Sequence, residues 1–433
     1  MTDVDETPST AKQGYSRRAL LGAIGAGAVV VAGVGAAAGA VIATREEPVD
    51  PDSLSYPFYG THQAGVTTPM QNTLHFASLD MTTDSRDALI SMLKAWTAAA
   101  AAMTQGRAVG RFGAEGNYDA PPEDTGEAIG LPPTGLTITF GFGPTLFRTA
   151  DGRDRFGLAS QQPAILHQLP KFPRDTLDPA ISNGDLCIQA CADNPQVAVH
   201  AVRNLVRLAF GTAAVRWSQN GFGKSSLTAE GEVTPRNLMG FKDGTHNIKN
   251  DDTEVLTDQV WVQPKDSPAW MDNGTYMAVR KIRMTIETWD RTSLREQEQV
   301  FGRTKLEGAP LSGGSEFTDP DFKAPGRQGE PLIPIDSHMA IAHPDNNDGH
   351  RVLRRGYNYT DSSDALGRLN AGLFYIAFAR DLDKQFVPMQ MRLSQNDRMN
   401  EYVRYIGDAE FAVPPGVPSA SQYIGQPLFD ATA

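Results

Sequence analysis

Three side chains of this sequence, an aspartate, a histidine and an arginine, could perform redox chemistry together. Asp243 lies in the turn-like stretch at residues 240–245, His338 follows in a later segment, and Arg354 comes shortly after it. Each alone is ordinary, since Asp-Gly pairs are common in turns and most histidines are structural. In this order they suit a haem that activates hydrogen peroxide, with the imidazole below the iron and the acid and guanidinium above it.

The elements that must position these residues show the same rhythm in both halves of the chain. In the first half the pattern predicts strands near residues 73–81, 136–142, 186–192 and from 215, and helices near 85–104 and 196–210. In the second half it predicts strands near 276–288 and 373–379, a helix near 293–301 and a closing helix near 399–405. The fold class is therefore α+β, with two units of antiparallel sheet that carry helices outside.

Length and charge narrow the class of protein. A chain of 433 residues suggests two domains. The formal net charge of −12 argues against nucleic acid as a partner, because phosphate recognition needs a basic face, and gives no support to binding at an anionic membrane surface. We place an N-terminal domain at residues 57–220 and a C-terminal, haem-binding domain at 221–433.

The first residues are typical of a targeting signal. Arg17 and Arg18 precede an uncharged run rich in Ala, Gly and Val that ends at Thr44. We predict a twin-arginine signal peptide at residues 1–44, recognised by the twin-arginine translocase, and an acidic linker at 45–56. The alternative is a true membrane span. The protein is expected to be exported, and so periplasmic, extracellular or tethered to the outer face of the membrane.

The only two cysteines, Cys187 and Cys191, lie on one predicted strand. At about 3.3 Å per residue their Cα atoms are roughly 13 Å apart, too far for a disulfide bond. The Cys-x-x-Cys-His string that attaches haem covalently does not occur in the sequence. Any haem is therefore bound non-covalently, and both cysteines are expected in the core.

Residues 307–332 are dense in Gly, Pro and Asp and lie directly before His338. A long irregular segment in a compact domain is usually functional or mobile. We interpret it as a wall or lid over the cofactor; the alternative is a solvated insertion.

The motifs together resemble those of a known family. Residues 240–244 match the Gly-x-x-Asp-Gly motif of dye-decolourising peroxidases, and residues 56–65, 140–144, 301–303 and 353–357 fit their exported deferrochelatase/peroxidase branch. The resemblance covers essentially the whole chain after the predicted signal. It implies two ferredoxin-like domains in a dimeric α/β-barrel-like arrangement of antiparallel sheets with peripheral helices. It also implies one non-covalent haem b per chain.

The resemblance assigns roles to individual residues. It makes Asp243 the distal aspartate, Arg354 the distal arginine and His338 the proximal ligand of the iron. It further implies that the haem edge is lined by Gly244, Thr245, His246, His343, Pro344 and Asp345. Relatives often have Asn-Pro-Arg after the proximal strand, whereas this chain has His343-Pro344-Asp345. A cation that could pair with a haem propionate is therefore missing at Asp345.

The implied activity is reduction of hydrogen peroxide with one-electron oxidation of dye-like or phenolic donors, the physiological donor being unknown. Asp243 would move a proton between the peroxide oxygens while Arg354 stabilises charge. Because free aspartate ionises near about pH 3.9, such a shuttle predicts activity skewed to acid pH. An acidic partner should hydrogen-bond the other nitrogen of His338, and Asp381 and Asp383 are the candidates.

Bulky donors cannot enter a pocket sized for peroxide, so their oxidation needs an aromatic relay. We propose Trp289, Tyr357 and Tyr375 as candidates, although aromatic residues on strands more often belong to the core.

Three other functions fit the same residues. The protein could release iron from haem in service of iron uptake, together with iron-uptake components. It could be a non-catalytic haem carrier, which needs neither Asp243 nor Arg354. It could also be a related haem barrel that acts on chlorite. A homo-oligomer is compatible with each of these functions.

Overall fold

The computed structural model of this chain describes residues 54–226, 228–229, 231–327 and 329–432. The predicted signal peptide and most of the linker lie outside the described residues. Over these ranges, no helix has the length and apolar character needed to cross a membrane.

Nine antiparallel strands form one sheet in the described part of the chain. They are β1 (Thr73–Met81), β2 (Thr137–Phe142), β3 (Leu186–Ala192), β4 (Ala213–Lys224), β5 (Thr275–Met284), β6 (Leu353–Arg354), β7 (Tyr357–Ser363), β8 (Leu369–Ala379) and β9 (Val403–Val413). Their order is β5-β9-β2-β3-β1-β4-β7-β8-β6, and β5 also pairs with β8. That extra pairing closes eight of the strands into a barrel, with β6 attached beside β8.

Each half of the barrel has the strand order of a ferredoxin-like unit. In the first half β1 lies between β3 and β4, and β2 lies outside β3; in the second half β5 lies between β8 and β9, and β7 lies outside β8. Strand β4 joins β7 at Phe222 and Asn358, and β2 joins β9 at Phe142 and Ala412. The predicted barrel-like arrangement of two α+β units is therefore confirmed.

Helices cover the outside of the barrel and connect its strands. The α-helices are α1 (Arg86–Met103), α2 (Pro144–Phe147), α3 (Pro195–Leu208), α4 (Thr253–Gln259), α5 (Ile286–Trp289), α6 (Leu294–Phe301), α7 (His338–Ala342), α8 (Leu382–Gln385), α9 (Val387–Asn396) and α10 (Gln426–Asp430). Short 3-10 helices cover Ala159–Gln161, Pro179–Ile181, Ala269–Met271, Pro344–Asn346 and Arg398–Glu401.

Helices α1 and α3 bury their apolar faces against the first half of the sheet. Leu89, Leu93 and Trp96 of α1 share one core cluster with Leu79 of β1. The indole N–H of Trp96 donates to the carbonyl of Leu205 in α3 at 2.8 Å, which satisfies its polar atom inside the core. This packing follows from the 3.6-residue spacing of apolar residues along α1.

The barrel interior is filled by alternate residues of its strands. The ring of Phe76 on β1 lies 5.3 Å from that of Phe374 on β8 and 6.2 Å from that of Phe411 on β9. Cys187 and Cys191 are buried in the same cluster and both are free thiols. Both cysteines are therefore core residues, as the sequence predicts.

Most predicted elements exist, but one is wrong in type. The predicted closing helix at 399–405 is a short 3-10 helix, Arg398–Glu401, followed by strand β9. Strand β9 pairs with β5 along ten register positions, which outweighs the local helical pattern. The predicted strand at 276–288 ends at Met284, and α5 follows. Strand β4 crosses the predicted domain boundary at 220/221, and that boundary stays a prediction.

Candidate active site

A single deep cleft in the second half brings the predicted site residues together. Its empty volume is about 1470 Å³, open solvent at the mouth included, and Asp243, His338 and Arg354 all line it. Most of the other lining is apolar, with Ile282, Met284, Phe301, Met339, Leu373, Leu393 and Val403 among the side chains. An apolar cavity with a few convergent polar groups is the usual form of a cofactor site.

Asp243 and Arg354 form an ion pair on one side of the cleft. Arg354 Nη1 donates to Asp243 Oδ1 at 2.7 Å, and Asn237 Nδ2 donates to Asp243 Oδ2 at 3.2 Å. Both carboxylate oxygens therefore have a partner, which fixes the orientation of the acid. Asn237 had no role in the sequence prediction.

The backbone of Arg354 is held by one amide side chain. Its N–H donates to Asn247 Oδ1, and Asn247 Nδ2 donates to the Arg354 carbonyl, both at 2.8 Å. Strand β6 also pairs Arg354 with Ala377 of β8. The neighbouring Arg355 is fully buried and donates to Gln71 Oε1 at 2.5 Å, away from the cleft. Arg354 thus lines the cleft and Arg355 does not.

The loop that carries Asp243 needs glycine at both ends. Gly240 and Gly244 have φ values of 84° and 100°, which side-chain-bearing residues rarely adopt. A Cβ added at Gly240 would also lie 2.9 Å from Cε of Lys305. The Asp243 N–H donates to the Pro235 carbonyl at 2.9 Å. These constraints make a tight turn that points the aspartate into the cleft.

His338 enters the cleft from helix α7 and is held by Asp397. Its Nδ1 lies 2.6 Å from Asp397 Oδ2, whose side chain is only 2% exposed, whereas the His338 side chain is 37% exposed towards the cleft. Burial alone would lower the pKa of His338, but the charge and hydrogen bond of Asp397 outweigh it and the pKa is raised. With Nδ1 engaged, Nε2 is the nitrogen available to a metal.

One expectation about His338 is wrong. Its acidic partner is Asp397, not Asp381 or Asp383. Asp381 caps helix α8 by accepting from the Lys384 N–H, and Asp383 lies 3.0 Å from Nε2 of His167. His338 is the first residue of α7, which Ser337 caps by accepting from the Ala340 N–H. The sequence does indicate a structural role for Asp397, because an Asp that precedes a helical turn is a typical capping residue, but it does not indicate contact with His338.

The predicted edge residues divide into two groups. Gly244, Thr245, His246, His343 and Pro344 all line the cleft. Burial, helped by the charge of Arg303, lowers the pKa of His246 to about 4. Asp345 is not brought to the cleft: its side chain is 76% exposed and faces His343 Nδ1 at 3.6 Å.

Two arginines bring positive charge to the cleft, in place of the cation that relatives often carry at position 345. Arg303 and Arg351 both line the cleft. Arg303 Nη1 donates to the carbonyls of Gly308 and Glu316, while its Nη2 is buried with no hydrogen-bond partner among the described residues. Such an unpaired cationic donor suits a ligand carboxylate. The sequence contained Arg303 in a family motif but gave no role to it.

The lid, defined as residues 307–332, contacts two residues of the cleft lining. The Phe322 ring is 5.0 Å from the ring of His343. The Glu316 carboxylate pairs with Lys242, next to Asp243. None of the described residues of the lid lines the cleft itself, so its role as a wall over a cofactor stays a prediction.

The three proposed relay residues lie at different depths. Tyr375 lines the cleft, and burial raises the pKa of its phenol well above the ordinary value. Trp289 is buried, and its ring lies 5.8 Å from that of Phe301, a residue of the cleft lining. Tyr357 lies inside the barrel core and does not line the cleft.

Comparison with known proteins agrees with this geometry. The sequence models of the N-terminal and C-terminal domains of Dyp-type peroxidases match residues 63–223 and 234–418. The deferrochelatase of Escherichia coli strain K12 is 37% identical over 422 residues, 95% of this chain and 96% of that protein. The deferrochelatase of Yersinia pseudotuberculosis is 37% identical over 381 residues, 87% of this chain and 85% of that protein.

Solved structures agree as well. Ferric DtpA from Streptomyces lividans has a TM-score of 0.79 and 38% identity, covering 88% of this chain and 98% of that one. The DyP-type peroxidase from Cellulomonas bogoriensis has a TM-score of 0.77 and 39% identity, covering 88% of this chain and 99% of that one. With both domain models matched and near-complete relatives at this identity, the chain belongs to the Dyp-type peroxidase family.

Proposed function

We propose that this haem-dependent peroxidase holds one non-covalent haem b per chain and uses hydrogen peroxide to oxidise bulky aromatic donors. One observation carries the proposal: within one cleft, an imidazole anchored by Asp397 faces an ion pair of Asp243 and Arg354. With haem bound, His338 would hold the iron, and Asp243 and Arg354 would supply an acid and a cation to the bound peroxide.

The cleft fits a tetrapyrrole in its chemistry. Apolar walls suit the macrocycle, Nε2 of His338 suits the iron, and the buried Nη2 of Arg303 and the nearby Arg351 suit the propionates. Burial lowers the pKa of both arginines, and a bound carboxylate would offset that cost of burying their charge. Gly244, Thr245, His246, His343 and Pro344 then surround the edge of the cofactor.

The haem supplies the redox chemistry, and the protein directs protons and charge. Asp243 would accept a proton from one oxygen of peroxide and return it to the other, which leaves as water, and the haem would supply the two electrons that this cleavage takes. Arg354 would stabilise the negative charge that develops on the leaving oxygen. Asn237 and Arg354 hold the two oxygens of the carboxylate, so its rotamer is set before peroxide arrives.

Bulky donors give up electrons at a distance from the iron. Tyr375 and Trp289 are the proposed relays, because the first lines the cleft and the second contacts Phe301 in its wall. Tyr357 is a weaker candidate, because it lies inside the barrel core.

A second function, release of iron from haem with the tetrapyrrole left intact, is supported by the deferrochelatases among the relatives. It would serve iron uptake with further components. Supplying haem and measuring free protoporphyrin by fluorescence separates the two functions.

We also propose export through the twin-arginine translocase, supported by Arg17 and Arg18 before the uncharged run. Replacing both by lysine should retain the protein in the cytoplasm on cell fractionation. Export of that variant at the wild-type level would contradict this route.

The peroxidase proposal is tested by the absorption spectrum of the haem-reconstituted protein. We expect a Soret band that changes on addition of one equivalent of peroxide and returns when a phenolic donor is added. A colourless product after reconstitution, or a Soret band that peroxide leaves unchanged, would overturn the proposal.

A further inference from the structure

One carboxylate of the lid reaches both residues that flank the catalytic loop. Glu316 Oε2 forms an ion pair with Nζ of Lys242, and Glu316 Oε1 accepts a hydrogen bond from Thr245 Oγ1 at 3.1 Å. Lys242 immediately precedes Asp243, and Thr245 follows Gly244. The two oxygens of Glu316 therefore bracket the turn that presents Asp243.

These contacts are shielded from water. The side chains of Glu316 and Lys242 are 11% and 20% exposed. Burial would raise the pKa of Glu316, but the hydrogen bond and charge of Lys242, with the hydrogen bond from Thr245, outweigh this, and the pKa is lowered. An ion pair of this burial is less screened than a surface pair, and removal of one partner leaves the other charge poorly solvated.

The backbone of the lid is fastened at the same place. Arg303 Nη1 donates to the carbonyl of Gly308 at 2.7 Å and to that of Glu316 at 2.9 Å. Gly308 packs against Lys242 so closely that an added Cβ would lie 2.8 Å from its Cδ. Side-chain and backbone contacts together hold Glu316 in one position. The backbone contact comes from Arg303, which lines the cleft.

We propose that Glu316 is a positioning residue that couples closure of the lid to the placement of Asp243. With the Glu316 contacts made, the lid stays packed on His343 and Lys242 of the cleft lining, and the turn at Asp243 is held. With them broken, the haem is retained less well and the turn loses its support. This inference rests on the proposed peroxidase function.

The test uses haem-loaded full-length protein with two replacements at the contact, Glu316→Gln and Lys242→Met, and the double variant. Glu307→Gln is the matched control, because Glu307 is an exposed acid of the same segment. One readout is the rate of haem transfer to excess apomyoglobin. The other is the rate constant for the Soret change with peroxide, measured at equal haem content.

We expect each single variant to speed haem transfer about tenfold and to slow the peroxide reaction about tenfold, consistent with loss of a partly buried charged pair. The double variant should resemble the singles, because both remove one interaction. Glu307→Gln should match the wild type in both readouts.

The outcomes separate this inference from the proposed function. If wild-type protein shows no Soret change with peroxide, the proposed function fails. If wild type reacts but Glu316→Gln equals Glu307→Gln in either readout, the positioning role of Glu316 is wrong. Additive effects in the double variant would likewise overturn it, since they would mean that Glu316 and Lys242 act separately.

Discussion

Asp397 determines which nitrogen of His338 faces the cleft. Its Oδ2 engages Nδ1 of His338, while its Oδ1 accepts the Met399 N–H and caps a 3-10 helix. One buried aspartate therefore both caps a 3-10 helix and orients the imidazole of His338. A negative charge behind the imidazole strengthens its donation to iron.

Asp397→Asn should weaken haem binding about tenfold to a hundredfold, as loss of a charged partner behind a metal-bound imidazole does. Haem transfer to apomyoglobin measures this. Asp383→Asn is the matched control, because Asp383 contacts His167 and not His338. Equal transfer rates for the two variants would contradict the role given to Asp397.

Asp243→Asn should leave haem binding unchanged and slow the reaction with peroxide by about 10²–10⁴-fold, the usual contribution of a positioned acid–base group. The amide keeps the shape of the side chain but cannot carry the proton. The Soret change after rapid mixing gives the rate. Asp258→Asn, at an exposed acid, should react like wild type.

The sequence predicted the site residues that local motifs carry and missed those that depend on long-range contacts. Asp243, His338 and Arg354 each lie in a recognisable stretch, and all three meet in the cleft. The acidic partner of His338 was predicted wrongly. Asp397 lies 59 residues from His338, and nothing in the local sequence indicates which aspartate packs behind the helix. Arg303 was visible in its motif, but only the fold shows its unpaired nitrogen.

At the level of elements, the pairing of β5 with β8 closes the barrel at a glycine. Gly372 lies opposite Arg283 in the register. A Cβ at Gly372 would lie 1.9 Å from the Ile282 carbonyl oxygen and 3.0 Å from the Cα of Arg283. Because both are backbone atoms of the paired strand, neither can move without disturbing the pairing.

Gly372→Ala should therefore destabilise the protein by at least about 2 kcal/mol, in the upper range for overpacking. Urea denaturation of the holoprotein measures the change. Gly60→Ala is the control, because its added Cβ would meet only the His62 carbonyl at 3.7 Å, an ordinary contact. An equally small effect at both positions would show that the two strands can separate freely.

Elements with strong local patterns were predicted well. The predicted strands at 73–81 and 186–192 coincide with β1 and β3, and the predicted helix at 85–104 differs from α1 by one residue at each end because Ser85 and Thr104 are caps. The start of β9 was mistaken for a helix, since its strand character comes from pairing with β5. Tertiary pairing overrides local propensity there.

For the molecule as a whole, a buried charge cluster ties the two halves together. Arg280 of β5 is fully buried and pairs with Asp175 from the first half, and with Asp408 of β9 at 3.6 Å. Its guanidinium also lies 4.7 Å from the ring centre of Tyr405, a residue of the cleft wall. Two carboxylates thus share one cation, and burial raises the pKa of Asp408 to about 6.

This raised pKa predicts the pH dependence of stability. The contribution of Asp408 to folding is fully present below its ordinary pKa of 3.8 and is lost as pH rises through about 6. The full loss is about 3 kcal/mol, roughly half of it between pH 5 and 8. Asp408→Asn should remove it, so the variant should gain stability relative to wild type from pH 5 to 8 in urea denaturation. A pH-independent difference would contradict the assignment.

The two lines along which the half-barrels meet are short. Strand β2 matches β9 at one register position and β4 matches β7 at two, whereas β5 and β8 match at nine. Few strand-to-strand hydrogen bonds cross these two lines, although residues 176–183 of the first half also donate backbone N–H groups to carbonyls of β9. Local opening should therefore begin along these lines, and their amides should exchange with deuterated solvent sooner than those between β5 and β8.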